Sequence, residues 1–180
     1  MIRNHRGFTL IEVIVVAGII AVLAGILVPL IFKEIDEAKI TRASADIRSI
    51  TSALIVMKKD TGMWPNLVNG GGACSAGVTL LYGGGVLPAG LAAFGWDQSS
   101  LQPLENYLSS DANACYGAQW KGPYLAQVTP DPWGNQYLIN ATNFSANGPV
   151  WIISAGPNGA IETDVTSAVP LGDDIGLRLK

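Results

Sequence analysis

The sequence predicts an α+β protein in which one long N-terminal helix, half transmembrane and half amphipathic, packs on a small antiparallel sheet with a loop-rich insertion. Three patterns predict this fold class. Residues 13–32 are twenty consecutive positions without a charge, and the residues after them, up to 60, repeat apolar positions at helical spacing. Short strand-like segments separated by turns follow residue 120.

We expect four parts along the chain. They are a leader at 1–7, a transmembrane or filament-core helix at 8–32, its amphipathic continuation at 33–62, and a globular head at 63–180.

The composition differs between the two ends of the chain. Only 14% of the 180 residues are charged, where a soluble domain carries about 25%. The apolar fraction of 49% and the net charge of −3 exclude a disordered chain. A pI of about 5.0 supplies no basic surface for nucleic acid. Eight of the eleven Lys and Arg residues lie in the first 60 positions, whereas all five tryptophans lie beyond them, so the two parts belong to different surroundings.

The uncharged run predicts a membrane-spanning helix. At about 1.5 Å per residue it spans about 30 Å, the thickness of a bilayer core. Arg3 and Arg6 precede it and are expected to stay cytoplasmic, which places the rest of the chain on the far side. A secretory signal peptide is the alternative, but residues 27–31 are a poor small-residue cleavage site.

Glu12 places a carboxylate in this apolar segment. Such a residue costs roughly 2.5–3.5 kcal/mol on insertion scales and is usually functional. No basic residue follows it before Lys33, so the positive partner available at that depth is an α-amino group. A cut within Arg6-Gly7-Phe8 would create one.

The motif Arg6-Gly7-Phe8-Thr9-Leu10-Ile11-Glu12-Val13, followed by the apolar run and Pro29, resembles the class III signal of type IV pilins and type II secretion pseudopilins. The resemblance implies a type IV pilin-like fold, cleavage after Gly7 by prepilin peptidase and N-methylation of Phe8. It also implies that Glu12 neutralises the N-terminal amine of a neighbouring subunit, and two buried charges are tolerable as a pair. With Gly18 and Gly25, Pro29 would let the helix bend or melt when it enters a filament.

Four C-terminal motifs narrow the resemblance to the major pseudopilins of type II secretion: Gly122-Pro123-Tyr124-Leu125, residues 131–137, residues 153–159 and Asp173-Asp174-Ile175-Gly176. This family implies a single-pass inner-membrane protein with a periplasmic C-terminal domain, polymerised into a pseudopilus that drives export across the outer membrane. Its partners would be other copies in a helical filament, the inner-membrane assembly platform and the minor pseudopilins. A surface type IV pilus for adhesion, motility or electron transfer is the alternative.

Residues 66–119 match no motif of that family and are expected to be an insertion. Glycine triplets mark flexible turns, and residues 101–108 are compatible with a short helix capped by Ser100. Cys74 and Cys115 bracket the region, and a cysteine pair in an exported domain is usually a disulfide.

The head is expected to hold strands at residues 124–128, 136–139 and 150–154, with Trp133 and Trp151 as core anchors. On the helix, the residues expected to face this core recur at three- and four-residue steps: Ile40, Ala43, Ile47, Ile50, Leu54 and Met57. Gly62 is the expected C-cap of the helix.

Residues 154–175 contain four acids and no base, which is compatible with either a solvated acidic loop or a calcium site. The resemblance favours calcium, because the family's calcium loop ends in an acidic pair before Ile-Gly, like Asp173-Asp174 here. Asn158 stands where the family usually has an aspartate, and the loop is longer than usual. We therefore expect Glu162 or Asp164 to serve as a substitute ligand.

Catalysis is not expected. The single histidine, His5, lies in the leader, so the processed chain would hold no Ser-His-Asp, Cys-His or zinc constellation. Two adjacent acids without a pocket do not make an acid–base site.

Overall fold

The computed structural model describes residues 7–67, 77–112 and 114–180, so the predicted leader falls almost wholly outside the described part. In chain order the elements are α1 (Leu10–Thr61), β1 (Leu80–Tyr82), β2 (Leu101–Pro103), α2 (Glu105–Leu108), β3 (Leu138–Asn140), β4 (Trp151–Ser154) and β5 (Ile175–Arg178). Short 3₁₀ turns lie at Pro65–Leu67, Leu91–Phe94, Gly117–Gln119 and Ala141–Phe144. The chain forms two compact units, which divide between Ala38 and Lys39.

The first unit is the apolar part of α1. Its large apolar side chains between Phe8 and Phe32 are 48–87% exposed. By length and composition this helix is able to cross a membrane. A helix that is apolar on all sides is stable only when lipid or other protein covers it.

The second unit packs the rest of α1 on the sheet. Ala43, Ile47, Ile50, Leu54 and Met57 are all buried, which confirms most of the expected stripe. Ile40 is 43% exposed, so its assignment to the core was wrong. The buried stripe begins one turn later, and helical periodicity does not show where the sheet beneath a helix ends. Gly62 follows α1 with φ of +75° and donates its N–H to the Lys58 carbonyl, which confirms the expected C-cap.

The sheet is mixed, in the order β2-β1-β3-β4-β5. The α+β fold class is confirmed, but the small sheet is not antiparallel throughout as expected, because β2 runs parallel to β1 while the other pairs are antiparallel. The predicted insertion supplies both β1 and β2, and β1 lies inside the sheet. That region is therefore part of the fold's core.

Hydrophobic clusters cover both faces of the sheet. Leu81, Ile139 and Ile152 join the cluster that contains the α1 stripe. Leu80, Leu138 and Ile153 join a second cluster with Leu91, Trp96, Trp151 and Ile161. Successive strand residues point to opposite faces, so double coverage explains why these strands are apolar without alternation.

Of two further expectations for the head, the short helix within residues 101–108 is confirmed only for Glu105–Leu108, and the strand at residues 124–128 was wrong. Residues 101–108 form β2 and then α2, since Ser100 pairs with Thr79 and Leu80 at the start of β1 instead of capping a helix. Residues 124–128 form no regular strand, because the Tyr124 and Leu125 amides donate to the Leu108 carbonyl at the end of α2. The segments at 136–139 and 150–154 do contain strands, β3 and β4, with shifted bounds.

Of the two tryptophans expected to anchor the core, the structure buries Trp151 but not Trp133. Trp151 is 2% exposed and belongs to the second cluster. Trp133 is only half-buried, because it lies in a turn organised by Asp131. One oxygen of Asp131 accepts the amides of Trp133 and Asn135 at 3.0 and 2.8 Å, and the other accepts the Ser154 hydroxyl at 2.6 Å. The buried anchor of this turn is a carboxylate.

Two neighbouring residues of α1 give a direct test of the packing. Leu54 is fully buried and Ile55 is 50% exposed. Leu54→Ala should lower the free energy of unfolding by about 2–5 kcal/mol because it leaves a cavity in the core. Chemical unfolding of the purified chain in detergent, followed by tryptophan fluorescence, measures the change. Ile55→Ala is the matched control and should change stability by less than about 1 kcal/mol; equal losses from the two variants would contradict the packing.

Candidate functional site

A capping box organises the start of α1. The Thr9 amide and hydroxyl both donate to Glu12 Oε2, at 3.0 and 2.8 Å, and the Glu12 amide donates to Thr9 Oγ1 at 3.4 Å. Reciprocal bonds of this kind satisfy amides that the first helical turn leaves without partners. The sequence Thr-x-x-Glu carries this signature, but the sequence reading assigned Thr9 no role.

The capping box leaves part of the Glu12 carboxylate available. Both bonds that it accepts use Oε2, and the described part of the chain offers Oε1 no partner. Phe8 is 87% exposed beside it. The positions at which the sequence predicts processing and assembly, Gly7, Phe8 and Glu12, therefore lie together on an accessible helix end. Pro29 lies inside α1, and its role in bending or melting the helix stays a prediction.

The acidic loop between β4 and β5 forms the second candidate site. Its two ends meet, because Ser154 at the end of β4 pairs with Ile175 at the start of β5. Gly156 and Gly172 have positive φ, and a Cβ on either would collide with Asp173 or with Glu162, respectively. The chain therefore needs glycine at both positions to bring these acidic residues into close contact.

The two adjacent aspartates each use one oxygen to hold the loop. Asp174 Oδ2 accepts the amides of Glu162 and Thr163 at 2.9 and 2.7 Å. Asp173 Oδ2 accepts the amide of Asn158 at 3.0 Å. Glu162 Oε2 accepts the Asp173 amide at 3.3 Å. These carboxylate-to-amide bonds bring three of the five predicted ligands, Glu162, Asp173 and Asp174, next to one another, and they connect Asn158 to them through its backbone.

The second carboxylate oxygen of each aspartate, Oδ1, takes no part in these bonds. Asp173 Oδ1 and Asp174 Oδ1 are both buried and have no hydrogen-bond partner in the described part of the protein. Burial raises the pKa of Asp174, and the neighbouring Asp173 charge adds to this, whereas hydrogen bonding to the Thr163 side chain and to the amides of Glu162 and Thr163 opposes it. Buried carboxylate oxygens are normally paired, so these two oxygens are the candidate ligands for the cation that the sequence predicts.

The remaining predicted ligands are used differently. Asp164 is turned toward Thr166, whose hydroxyl and amide donate to Asp164 Oδ1 and lower the pKa of this carboxyl. Asn158 Oδ1 accepts the Ala160 amide at 2.7 Å. Both side chains have local backbone or hydroxyl partners, so the geometry does not bring them into the buried carboxylate cluster.

The donor set fits a hard cation only in part. Within residues 7–67, 77–112 and 114–180, no three His, Cys, Asp or Glu side chains form a group that could hold a metal ion. Calcium also takes backbone carbonyl and water oxygens, so two unpaired carboxylate oxygens beside Glu162 are a workable nucleus for it. Bound there, the ion would supply positive charge to neutralise the carboxylates and would tie the two ends of the loop together.

The predicted disulfide is only half described. Cys115 has no free thiol. It lies in a loop where Asp111 accepts the amides of Cys115, Tyr116 and Gly117 at 2.7–3.2 Å. Cys74 lies outside the described residues, so the pairing stays a prediction.

Comparisons with known proteins agree with a filament-forming class of membrane-anchored protein. Residues 2–28 match the prokaryotic N-terminal methylation motif, and residues 96–169 match type II secretion system protein G. The second match begins within 66–119, so the expectation that this whole region has no counterpart in the family was wrong. No solved structure matches the chain.

Curated relatives cover most of the chain. The type II secretion system core protein G of Pseudomonas aeruginosa is 31% identical over 160 residues, 87% of each chain. Its namesake from Escherichia coli K12 is 29% identical over 166 residues, 91% of each chain. That of Pectobacterium carotovorum is 29% identical over 173 residues, covering 96% of this chain and 84% of the relative. The chain belongs to the type II secretion system protein G family.

Proposed function

We propose that this protein is the repeating subunit of a pseudopilus, the short periplasmic filament of a type II secretion system. The observation that carries the proposal is the apolar half of α1, whose large side chains are exposed on every side. Such a surface is stable in only two environments, a bilayer and a bundle of like helices. A filament subunit needs both, because it is stored in the membrane before it polymerises.

The membrane orientation follows from charge. Arg3 and Arg6 precede the apolar run and hold the N-terminus on the cytoplasmic side, so the second unit lies in the periplasm. The methylation motif at residues 2–28 supports cleavage after Gly7 and methylation of Phe8 by prepilin peptidase. The assembly platform of the inner membrane and the minor pseudopilins are the further partners in this proposal.

Glu12 has two successive roles in the proposal. In the membrane, its Oε2 bonds to Thr9 keep the carboxylate partly satisfied within its own chain. In the filament, Glu12 Oε1 accepts a hydrogen bond from the positively charged N-terminal amine of Phe8 in a neighbouring copy. The two buried charges then stabilise each other, whereas either alone in an apolar bundle would be strongly unfavourable. The role is structural, and no catalytic step is assigned to the chain.

Glu12→Ala tests the pairing. The variant should insert and be processed normally, because the apolar run and the Gly7-Phe8 junction are unchanged, yet filament formation should fall at least tenfold. Sheared filament fractions from cells that overproduce the protein, normalised to membrane-bound processed protein, give the ratio. Thr9→Val is the control, because it removes the two hydroxyl bonds of the capping box and keeps the Glu12 carboxylate, and it should retain more polymer than Glu12→Ala. A normal filament yield from Glu12→Ala would contradict the proposed pairing of Glu12 with the Phe8 amine.

Deletion of the gene separates the pseudopilus from the alternative, a surface pilus. We expect exported proteins to accumulate in the periplasm while any long surface fibres persist. Comparison of the culture supernatant, the periplasm and electron micrographs of the cell surface gives the answer. Unchanged supernatant proteins together with loss of surface fibres would favour the pilus and contradict the proposal.

We also propose that calcium binds the acidic loop through Asp173, Asp174 and Glu162. Support comes from the two buried carboxylate oxygens without partners and from the close approach of Glu162 to Gly172. An ion at this point neutralises two adjacent like charges in a partly buried position, which otherwise repel each other.

Calcium should therefore raise the thermal midpoint of the purified protein, since a ligand at 100 times its Kd stabilises by about 2.7 kcal/mol. Asp174→Asn should abolish the calcium-dependent part of the midpoint. Asp164→Asn is the matched control and should keep it, because Asp164 is engaged with Thr166. Midpoints that are identical in calcium and in a chelator would overturn the calcium proposal.

A further inference from the structure

One segment of the region first predicted to be an insertion is hydrogen-bonded along the acidic loop between β4 and β5. We name residues 89–96 the outer clamp. The Ala89 amide donates to the Gly159 carbonyl at 3.1 Å, and the Ala89 carbonyl accepts the Ile161 amide at 2.9 Å. Further along, the Phe94 carbonyl accepts the Val165 amide at 3.2 Å. The clamp therefore follows the loop from residue 159 to residue 165 through backbone bonds.

The clamp ends on a buried side-chain bond. The indole N–H of Trp96 donates to the Thr163 carbonyl at 2.9 Å, and Trp96 and Thr163 are 2% and 0% exposed. Thr163 is bound in two further ways. Its hydroxyl oxygen accepts the Leu171 amide at 2.9 Å, and its own amide donates to Asp174 Oδ2 at 2.7 Å. The carbonyl, the amide and the hydroxyl oxygen of Thr163 thus each have a hydrogen-bond partner, and together these bonds fix the conformation of the residue.

The last of these bonds orients a carboxylate. Asp174 is 8% exposed, and its second oxygen, Oδ1, is buried without a partner in the described residues. Because Oδ2 is held by the amides of Glu162 and Thr163, the direction of Oδ1 is set by where those amides lie. Trp96 is connected to Asp174 through Thr163, which bonds to both, and the described structure shows no direct hydrogen bond from Trp96 to either aspartate.

We propose that Trp96 is a positioning residue for the cation site, acting through Thr163 to aim Asp174 Oδ1 at the ion. The inference rests on the proposed calcium binding and adds a determinant of its strength from outside the acidic loop. The outer clamp pre-orders the loop before the ion arrives, so less conformational entropy is lost on binding. Trp96 lies 67 positions from Thr163 in the chain, so its contribution depends on the fold.

Trp96→Phe removes the N–H and keeps most of the ring packing in the second cluster. We expect the Kd for calcium, measured by isothermal titration calorimetry on the full chain in detergent, to rise about two- to tenfold, the range for one neutral hydrogen bond. Trp120→Phe is the matched control, because Trp120 also donates its indole N–H to a backbone carbonyl, that of Tyr107 at 3.1 Å. Both variants should lower the midpoint in chelator, but only Trp96→Phe should weaken calcium binding.

The outcomes separate the two proposals. If the unmodified protein binds no calcium, the calcium site and the positioning role both fail. If it binds calcium and Trp96→Phe binds it equally well, only the positioning role is overturned. Should Trp96→Phe fail to fold, benzothienylalanine at position 96 replaces the N–H by sulfur at nearly the same ring size, and the same rise in Kd is expected.

Discussion

The contact between the buried stripe of α1 and one face of the sheet organises the second unit. Ile47, Ile50, Leu54 and Met57 meet Leu81, Ile139 and Ile152 in one continuous cluster. Strands of three or four residues are too short to be stable alone, so they depend on this helix for a hydrophobic partner. A second cluster covers the opposite face, and Trp96 and Ile161 in it belong to the outer clamp and the acidic loop. Packing of the sheet and placement of the loop are consequently linked.

Two carboxylates in the protein, those of Glu12 and Asp174, are bonded in the same way. Glu12 and Asp174 each use one oxygen to accept backbone amides, which orders the local chain, and each leaves the other oxygen without a partner among the described residues. The free oxygen of Glu12 is exposed and accessible to another copy of the protein, whereas that of Asp174 is buried within its own chain. In the proposals above, the first is matched by an ammonium group from another copy and the second by a metal ion, because a positive charge offsets the cost of removing a carboxylate from water.

Much of the fold could be predicted from patterns that repeat over short distances. The apolar run, the stripe from Ala43 to Met57 and the C-cap at Gly62 each depend on residues within a few turns of one helix. Long-range pairing could not be predicted. Leu80 and Leu101 are 21 positions apart and pair in parallel, and the glycine-rich sequence between them resembles a loop. Trp133 was misassigned because its hydrophobicity is visible in the sequence, whereas the buried Asp131 that organises its turn is not.

The sequence by itself predicted a membrane-spanning helix from the charge-free run of twenty residues, and a filament subunit from the resemblance of its Gly7-Phe8 junction and Glu12 to the class III signal. These are local features, so no tertiary structure is needed to recognise them. It also supplied the candidate ligands in the acidic loop. Only the tertiary structure decided which of those acids converge and which have local partners, as Asp174 and Asp164 do respectively. Ligand geometry depends on distances between residues far apart in the chain, and Trp96 reaches the loop only after the sheet has brought the two segments together.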